Sequence, residues 1–273
     1  MNASSLKPFA VVTGGSSGIG YELARQFAKH GFDLLIVAED EGIESAAETL
    51  KQGAEGCMVI PLQADLATEE GVAKLCGAID ASGRSMDAIA LNAGVGVSGA
   101  FKDTSLEEEL NLINLNIVAV VRLAKYAVRK MVAQGKGRIL ITSSEAATAP
   151  NPFLAIYAAS KAFVLSFAEG IRNELENTGV TVTALMPGAT NTNFFERAGM
   201  EDTQVGTEGK MENDPADVAR QGFEALMAGK DHVVAASLKT KLKVFMQELM
   251  PEPMKAAQAR KIAEPGTARR AAH

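Results

Sequence analysis

Thr13-Gly14-Gly15-Ser16-Ser17-Gly18-Ile19-Gly20 follows an apolar strand, 9–13, and opens an amphipathic helix, 20–29. Gly14 carries no Cβ and can turn the chain sharply. Gly18 lets backbone come close to a ligand, and Gly20 lets the helix pack tightly on the strand. The helix N-terminus then presents free N–H groups and the positive end of its dipole to an anion such as a pyrophosphate. A glycine cluster alone also suits an ordinary strand-to-helix turn. Its place on the first strand of an alternating chain favours the nucleotide.

Outward from this turn the alternation continues. Apolar runs at 34–38, 57–62, 88–91, 138–142, 180–186 and 232–236 read as buried strands. Helical patterns lie between them, among them 70–79, 107–132, 157–177 and 215–228. Short, continuously apolar strands separated by amphipathic helices predict a parallel sheet covered on both faces. Right-handed crossovers make it a doubly wound, Rossmann-like α/β fold with seven mostly parallel strands. Gly31, Gly53, Gly135 and Gly179 each follow a helical pattern, where a residue with positive φ is wanted. Asp214-Pro215 reads as an N-cap followed by proline at the first helical position. Residues 1–236 form one catalytic domain in this reading. Residues 237–273 form a basic extension with Pro251, Pro253 and Pro265 and no strand, expected to be helical and packed on the domain or on a neighbouring subunit.

Composition narrows the class. The 273 residues carry a net charge of −6, so no global basic field exists to attract nucleic acid. Cys57 and Cys76 lack the spacing of a disulfide framework and read as small buried hydrophobes in a reducing compartment. His30, His232 and His273 are scattered, and no metal site is expected. No secretory signal is read at the N-terminus, and no apolar stretch approaches the roughly 20 residues needed to span a bilayer. The expectation is a cytoplasmic protein without a membrane role. The stretch 242–250 is read as a packing helix in preference to a lipid anchor.

Tyr157-Ala158-Ala159-Ser160-Lys161 opens a helical pattern, so phenol and ammonium share one face, one turn apart. A free tyrosine has a pKa of about 10, and a nearby lysine cation favours the phenolate and lowers it. The pair suits general acid–base work on a hydroxyl or carbonyl. Alone it also fits a surface contact. Ser143-Ser144, however, ends the strand 138–142, at the sheet edge where ligands bind in open α/β folds.

With the G-xxx-G-x-G turn, these features resemble the short-chain dehydrogenase/reductase family in its compact single-domain branch. The resemblance covers roughly 8–236. It implies an NAD(P)-dependent oxidoreductase moving a hydride between nicotinamide and an alcohol or carbonyl carbon. It makes Ser144, thirteen positions before Tyr157, the holder of the substrate oxygen. Tyr157 is the proton carrier, and Lys161 steadies the phenolate and binds the nicotinamide ribose. An asparagine in the long helix holds a water beside the lysine. Asn111, Asn114 and Asn116 are candidates, and Asn116 fits best. For the cofactor, the resemblance implies a cradle of Gly14, Ser16, Ser17, Gly18, Ile19 and Gly20. Asp65-Leu66 meets the adenine, Asn92-Ala93-Gly94 borders the cofactor, and Pro187, Gly188, Thr190 and Thr192 hold the nicotinamide amide. The run 186–195 and the segment Ala263-Glu264-Pro265-Gly266 resemble a bacterial subgroup with largely unassigned substrates.

Ala38-Glu39-Asp40 ends the second strand. The usual NAD-selecting aspartate position holds Ala38, and Glu39 stands where NADP enzymes often place arginine. An added ribose phosphate meets two carboxylates there, so NAD is expected over NADP. The helices 107–132 and 157–177 are expected to pair across a two-fold axis into a homodimer or homotetramer. The pocket walls, with Val95, Val97, Ala147, Pro150, Pro152, Phe153, Phe194 and Phe195, hold few cations besides Arg197. That points to a small, mostly apolar alcohol or ketone beneath a lid at 189–213. A different class also fits the fold: a catalytically silent dinucleotide-binding regulator.

Overall fold

The computed structural model describes residues 7–208, 213–236 and 251–269. One parallel sheet organises them, with strands β1 (Phe9–Thr13), β2 (Asp33–Ala38), β3 (Val59–Gln63), β4 (Ala88–Leu91), β5 (Gly137–Thr142), β6 (Val180–Pro187) and β7 (His232–Ala235). The order is β3-β2-β1-β4-β5-β6-β7, and all six pairings are parallel. The chain reverses direction of winding between β3 and β4, so β1 and β4 flank the switch point where such sheets open a crevice. Every residue of β1, β2 and β4 is buried, which is why these strands read as unbroken apolar runs.

Helices cover both faces. On one side lie α1 (Gly18–Lys29), α2 (Gly42–Gly53) and, late in the chain, α9 (Pro215–Met227). Phe27 of α1 meets Phe32 and Phe223 edge-on at centroid distances of 5.2 and 5.1 Å, a geometry that suits aromatic quadrupoles. On the other side lie α3 (Glu69–Ala81), α4 (Leu106–Ile113), α5 (Val120–Gln134) and α6 (Ala155–Glu174). Leu75, Ile79, Leu123, Met131 and Val164 build that half of the core. Asp214 caps α9 by accepting from Ala216 N at 2.8 Å, with Pro215 opening the helix, as the Asp-Pro pair predicts.

Five readings need correction. Gly31, Gly135 and Gly179 have positive φ, but Gly53 is the last residue of α2 and does not. The pattern at 107–132 is not one α-helix, because a π-helical turn, Asn114–Ala119, separates α4 from α5. The pattern at 157–177 begins earlier, at Ala155, and ends at Glu174; Asn177 lies outside with φ of 66°. The run Leu106–Gln134 is also long and apolar enough, by length and composition, to cross a bilayer. Here Leu112, Leu123, Ala127 and Met131 of that run are buried within the protein. Cys57 and Cys76 are half-buried free thiols, less enclosed than their spacing suggested.

After β6 come two short helices, α7 (Phe194–Arg197) and α8 (Gln204–Glu208). After β7, a further helix, α10 (Glu252–Ala263), and a 3-10 turn, Thr267–Arg269, pack near α8. The expected helix at 242–250 and residues 209–212 of the expected lid lie outside the described residues.

Candidate active site

The glycine turn is shaped as its sequence implies. Gly14 and Gly18 hold φ of 67° and 57°, in the left-handed region that costs a side-chain-bearing residue energy. A Cβ at Gly20 would run into the Gly14 carbonyl oxygen and the Asn92 side chain. Ser17 at the N-cap of α1 makes no side-chain cap, and no acidic residue stands in the first turn. The first N–H groups of α1 therefore have no side-chain acceptor from the cap and border a cleft.

Asn92 joins three strand ends. Its Nδ2 donates to Thr13 O at 3.3 Å, and its Oδ1 accepts from Thr142 Oγ1 at 3.2 Å. Thr13 Oγ1 in turn accepts from the N–H groups of Asn92 and Ala93 at 2.9 and 3.0 Å. At the end of β2, Ser16 Oγ donates to Asp40 Oδ2 at 2.8 Å, and Gly42 N donates to Asp40 Oδ1 at 3.0 Å. Both Glu39 and Asp40 line the cleft. Asp65 also lines it and accepts from Ala67 N at 2.9 Å. Thr68 caps α3, its Oγ1 accepting from Gly71 N at 3.0 Å.

Ser144, at the end of β5, accepts from Ala146 N at 3.1 Å and lines the same cleft as Tyr157, whose phenol its hydroxyl influences. Lys161 is buried, with Nζ 5.7 Å from the Tyr157 ring centre and donating to Thr142 O at 3.1 Å. Burial pushes the Lys161 ammonium down to about 8, because the charged form loses its solvation. Burial likewise pushes the Tyr157 phenol up to about 12. The expected lowering of the tyrosine by its lysine does not appear: burial dominates, the nearby Glu145 charge adds to the rise, and the lowering influence comes from Ser144. Ser143 Oγ donates to Lys161 O at 2.8 Å and ties β5 to α6.

Of the three asparagines, Asn111 and Asn114 are exposed and Asn116 is buried in the π-turn. Its Nδ2 donates to Val95 O and Ser160 Oγ at 2.9 and 3.1 Å, and its Oδ1 accepts from Val95 N at 3.0 Å. Both donor hydrogens are used, leaving one acceptor lone pair on Oδ1. A Cβ at Gly94 would stand 3.0 Å from Asn116 Oδ1 and 3.2 Å from Lys161 Nζ. This small residue lets the asparagine and lysine approach the same point.

One cleft of about 540 Å³ gathers every residue expected to hold a cofactor or to catalyse, Asn116 excepted, which sits behind Gly94. Gly188 and Thr190 line it beside Pro187 and Thr192, and the Thr192 side chain lies 3.1 Å from where a Gly18 Cβ would be. Val95, Phe194 and Phe195 line it too, with the Phe194 ring 5.1 Å from Tyr157. Val97, Ala147, Pro150, Pro152 and Phe153 do not. Sequence reasoning missed Lys255, Gln258 and Ile262 of α10, which reach the cleft. Lys255 adds a second cation to Arg197, so the walls are less free of charge than the sequence suggested. A helix without strand-like neighbours or a motif carries no signal of where it will dock.

Residues 8–202 match the short chain dehydrogenase family. The probable oxidoreductase EphD of Mycobacterium tuberculosis is 34% identical over 191 residues, covering 69% of this chain. The match spans 32% of that relative's own length. A short-chain dehydrogenase from Sphingobium yanoikuyae, solved in complex with NADPH, superposes with a TM-score of 0.78 at 29% identity, covering 89% of this chain and 96% of that one. A bulky-bulky ketone specific alcohol dehydrogenase from Comamonas testosteroni superposes with a TM-score of 0.73 at 27% identity, covering 89% and 95%.

Proposed function

This chain belongs to the short chain dehydrogenase family, and from that premise we propose that it is a nicotinamide-dependent oxidoreductase interconverting an alcohol and its ketone. The observation that carries this reading is the gathering of Ser144, Tyr157 and Lys161 in the same cleft as the glycine turn, with the Lys161 ammonium 5.7 Å from the Tyr157 ring centre.

The residues present suit the cofactor. The uncapped N-terminus of α1 and the turn 14–20 accept a pyrophosphate. Asp65 has a free carboxylate lone pair for an adenine amino group, and Asn92-Ala93-Gly94 gives a backbone border. Pro187, Gly188, Thr190 and Thr192 line the same cleft and would hold the nicotinamide amide. The chemistry supplied by bound nicotinamide is hydride transfer to or from the carbon that bears the oxygen. Ser144 holds the substrate oxygen, and Tyr157 gives or takes its proton. A phenolate left on Tyr157 is stabilised by the Lys161 cation, which it also keeps charged by mutual attraction. Asn116 anchors the loop at Val95 and offers its remaining Oδ1 lone pair to a water on the proton path.

NAD is favoured over NADP, because Glu39 and the Ser16-braced Asp40 stand at the end of β2 with no cation in the glycine turn. The Sphingobium protein holds NADPH, so this preference belongs to the present chain's own residues. The substrate is a neutral, apolar alcohol or ketone, supported by Leu154, Phe194, Phe195 and Met200 along the cleft. A cytoplasmic setting suits the two free thiols.

The test is a fluorescence titration with NADH and NADPH, followed by neutral ketones and secondary alcohols beside carboxylated and phosphorylated analogues. Turnover of neutral compounds with NADH is expected. A kcat/KM preference for the anionic members would make Arg197 and Lys255 substrate anchors and overturn the neutral assignment. Nicotinamide binding without turnover of any member would favour a silent regulator.

A further inference from the structure

The helix α10 supplies a cleft wall that no motif announces. Its half-buried Ala259 and Ile262 face the cleft with the buried Ala263. Lys255 and Gln258 on the same helix are engaged in interactions of their own. Beside Lys255 and Gln258, the part of the wall made by Ala259, Ile262 and Ala263 is aliphatic, and it shares the cleft with the apolar Leu154, Phe195 and Met200.

This wall is tied to the segment that covers the cleft. Thr267 Oγ1 accepts from Gln204 N at 2.9 Å. Asp202 accepts twice from the same turn: its backbone O from Ala268 N at 3.0 Å and its Oδ2 from Gly266 N at 3.1 Å. Residues 200–208 also reach the catalytic side through Met200, which packs with Phe195. Moving α8 away from the cleft breaks these three bonds or carries α10 with it.

We propose that α10 is the specificity wall of the substrate pocket, with Ala259 and Ile262 setting the bulk of the apolar group that fits, and that Asp202 and Thr267 staple this wall to α8 so that both move as one body. The size assignment rests on the alcohol–ketone reading given above; the staple does not.

Two readouts test it. The first is ketone recognition by a small cyclic ketone and a diaryl ketone, with diaryl ketone affinity also measured by calorimetry. Ala259→Phe lowers the bulky-to-small ratio of kcat/KM at least about tenfold, the scale on which one side-chain-sized change in an apolar pocket discriminates. Ile262→Ala raises the ratio. An unchanged ratio in both variants overturns the wall. The second is hydrogen–deuterium exchange on the protein without added ligand. Asp202→Ala raises exchange in 204–208 and 252–263 together, and Thr267→Val does so if the first variant folds poorly. A rise confined to one segment, or none, overturns the staple. Wild-type protein that binds the diaryl ketone but turns nothing over removes the proposed activity and leaves the wall standing. Turnover with an unchanged ratio in both variants does the reverse.

Discussion

At Tyr157 and Lys161 burial works on two neighbours in opposite directions, and the pH dependence of stability separates them. Lys161 titrates at about 8 in the fold against 10.5 ordinarily. Between those values the unfolded chain binds more protons, so stability rises with pH across that window. Tyr157 titrates at about 12 against 10, so its contribution is complete below pH 10 and is lost as pH climbs towards 12. The raised Cys57 and Cys76 thiols pull stability the other way in this window, so the lysine is read as a difference: in denaturant melts from pH 7.5 to 10, the stability of wild type relative to Lys161→Met should rise by on the order of 3 kcal/mol. A difference that stays constant across the range assigns the effect elsewhere. Tyr157→Phe keeps the ring and removes the proton, and turnover should fall at least about 100-fold with nicotinamide affinity retained. Near-normal turnover in that variant refutes the role. For the cofactor, NADH should bind about tenfold or more tighter than NADPH, and Asp40→Ala should narrow the gap; equal dissociation constants in wild type contradict the charge assignment. Much of this was legible in the chain: the one-turn spacing of Tyr157 and Lys161, and Ser144 at a strand end. The tyrosine's raised pKa was not, because desolvation depends on everything packed around the phenol.

At the scale of elements, glycines with similar sequence surroundings divide by what stands next to them. A Cβ at Gly20 would clash with the Gly14 carbonyl, whereas one at Gly77, exposed on α3, meets nothing within 4 Å. Gly20→Ala should therefore cost about 3 kcal/mol or more through overpacking of backbone on backbone. Gly77→Ala should be neutral or stabilise by up to about 1 kcal/mol. Thermal melts compare them, and similar melting temperatures for the two variants would show that the turn relaxes freely. Strands and most helices were readable because burial on two faces writes continuous apolar runs and amphipathic patterns. The π-turn at Asn114–Ala119 was not. Apolar spacing averages over a single inserted residue, and only the buried, twice-donating amide of Asn116 reveals why the helix widens there.

For the whole molecule, α4 and α6 keep large apolar side chains on the outside. Leu106 is 68% exposed, Leu110 50% and Phe163 42%, with Phe163 stacked on Phe167 at 6.1 Å. A two-fold copy would cover such a surface. Light scattering at micromolar protein should give a dimer or tetramer mass, and Phe163→Glu should shift it towards the monomer. A monomer mass in wild type rejects the assembly. A doubly wound sheet of seven mostly parallel strands was foreseeable from alternation, and so was a helical, packed extension; that α10 reaches the cleft was not, since no β-strand or turn chemistry directs it there. That docking separates two inheritances within one chain. The proton-handling residues sit between β4 and α6, while Ala259 and Ile262 come after β7, linked to the rest by the Asp202 and Thr267 bonds. A mutant library confined to 253–263 would therefore explore new substrates while the reaction machinery stays untouched, a division of labour on which directed evolution can work one half at a time.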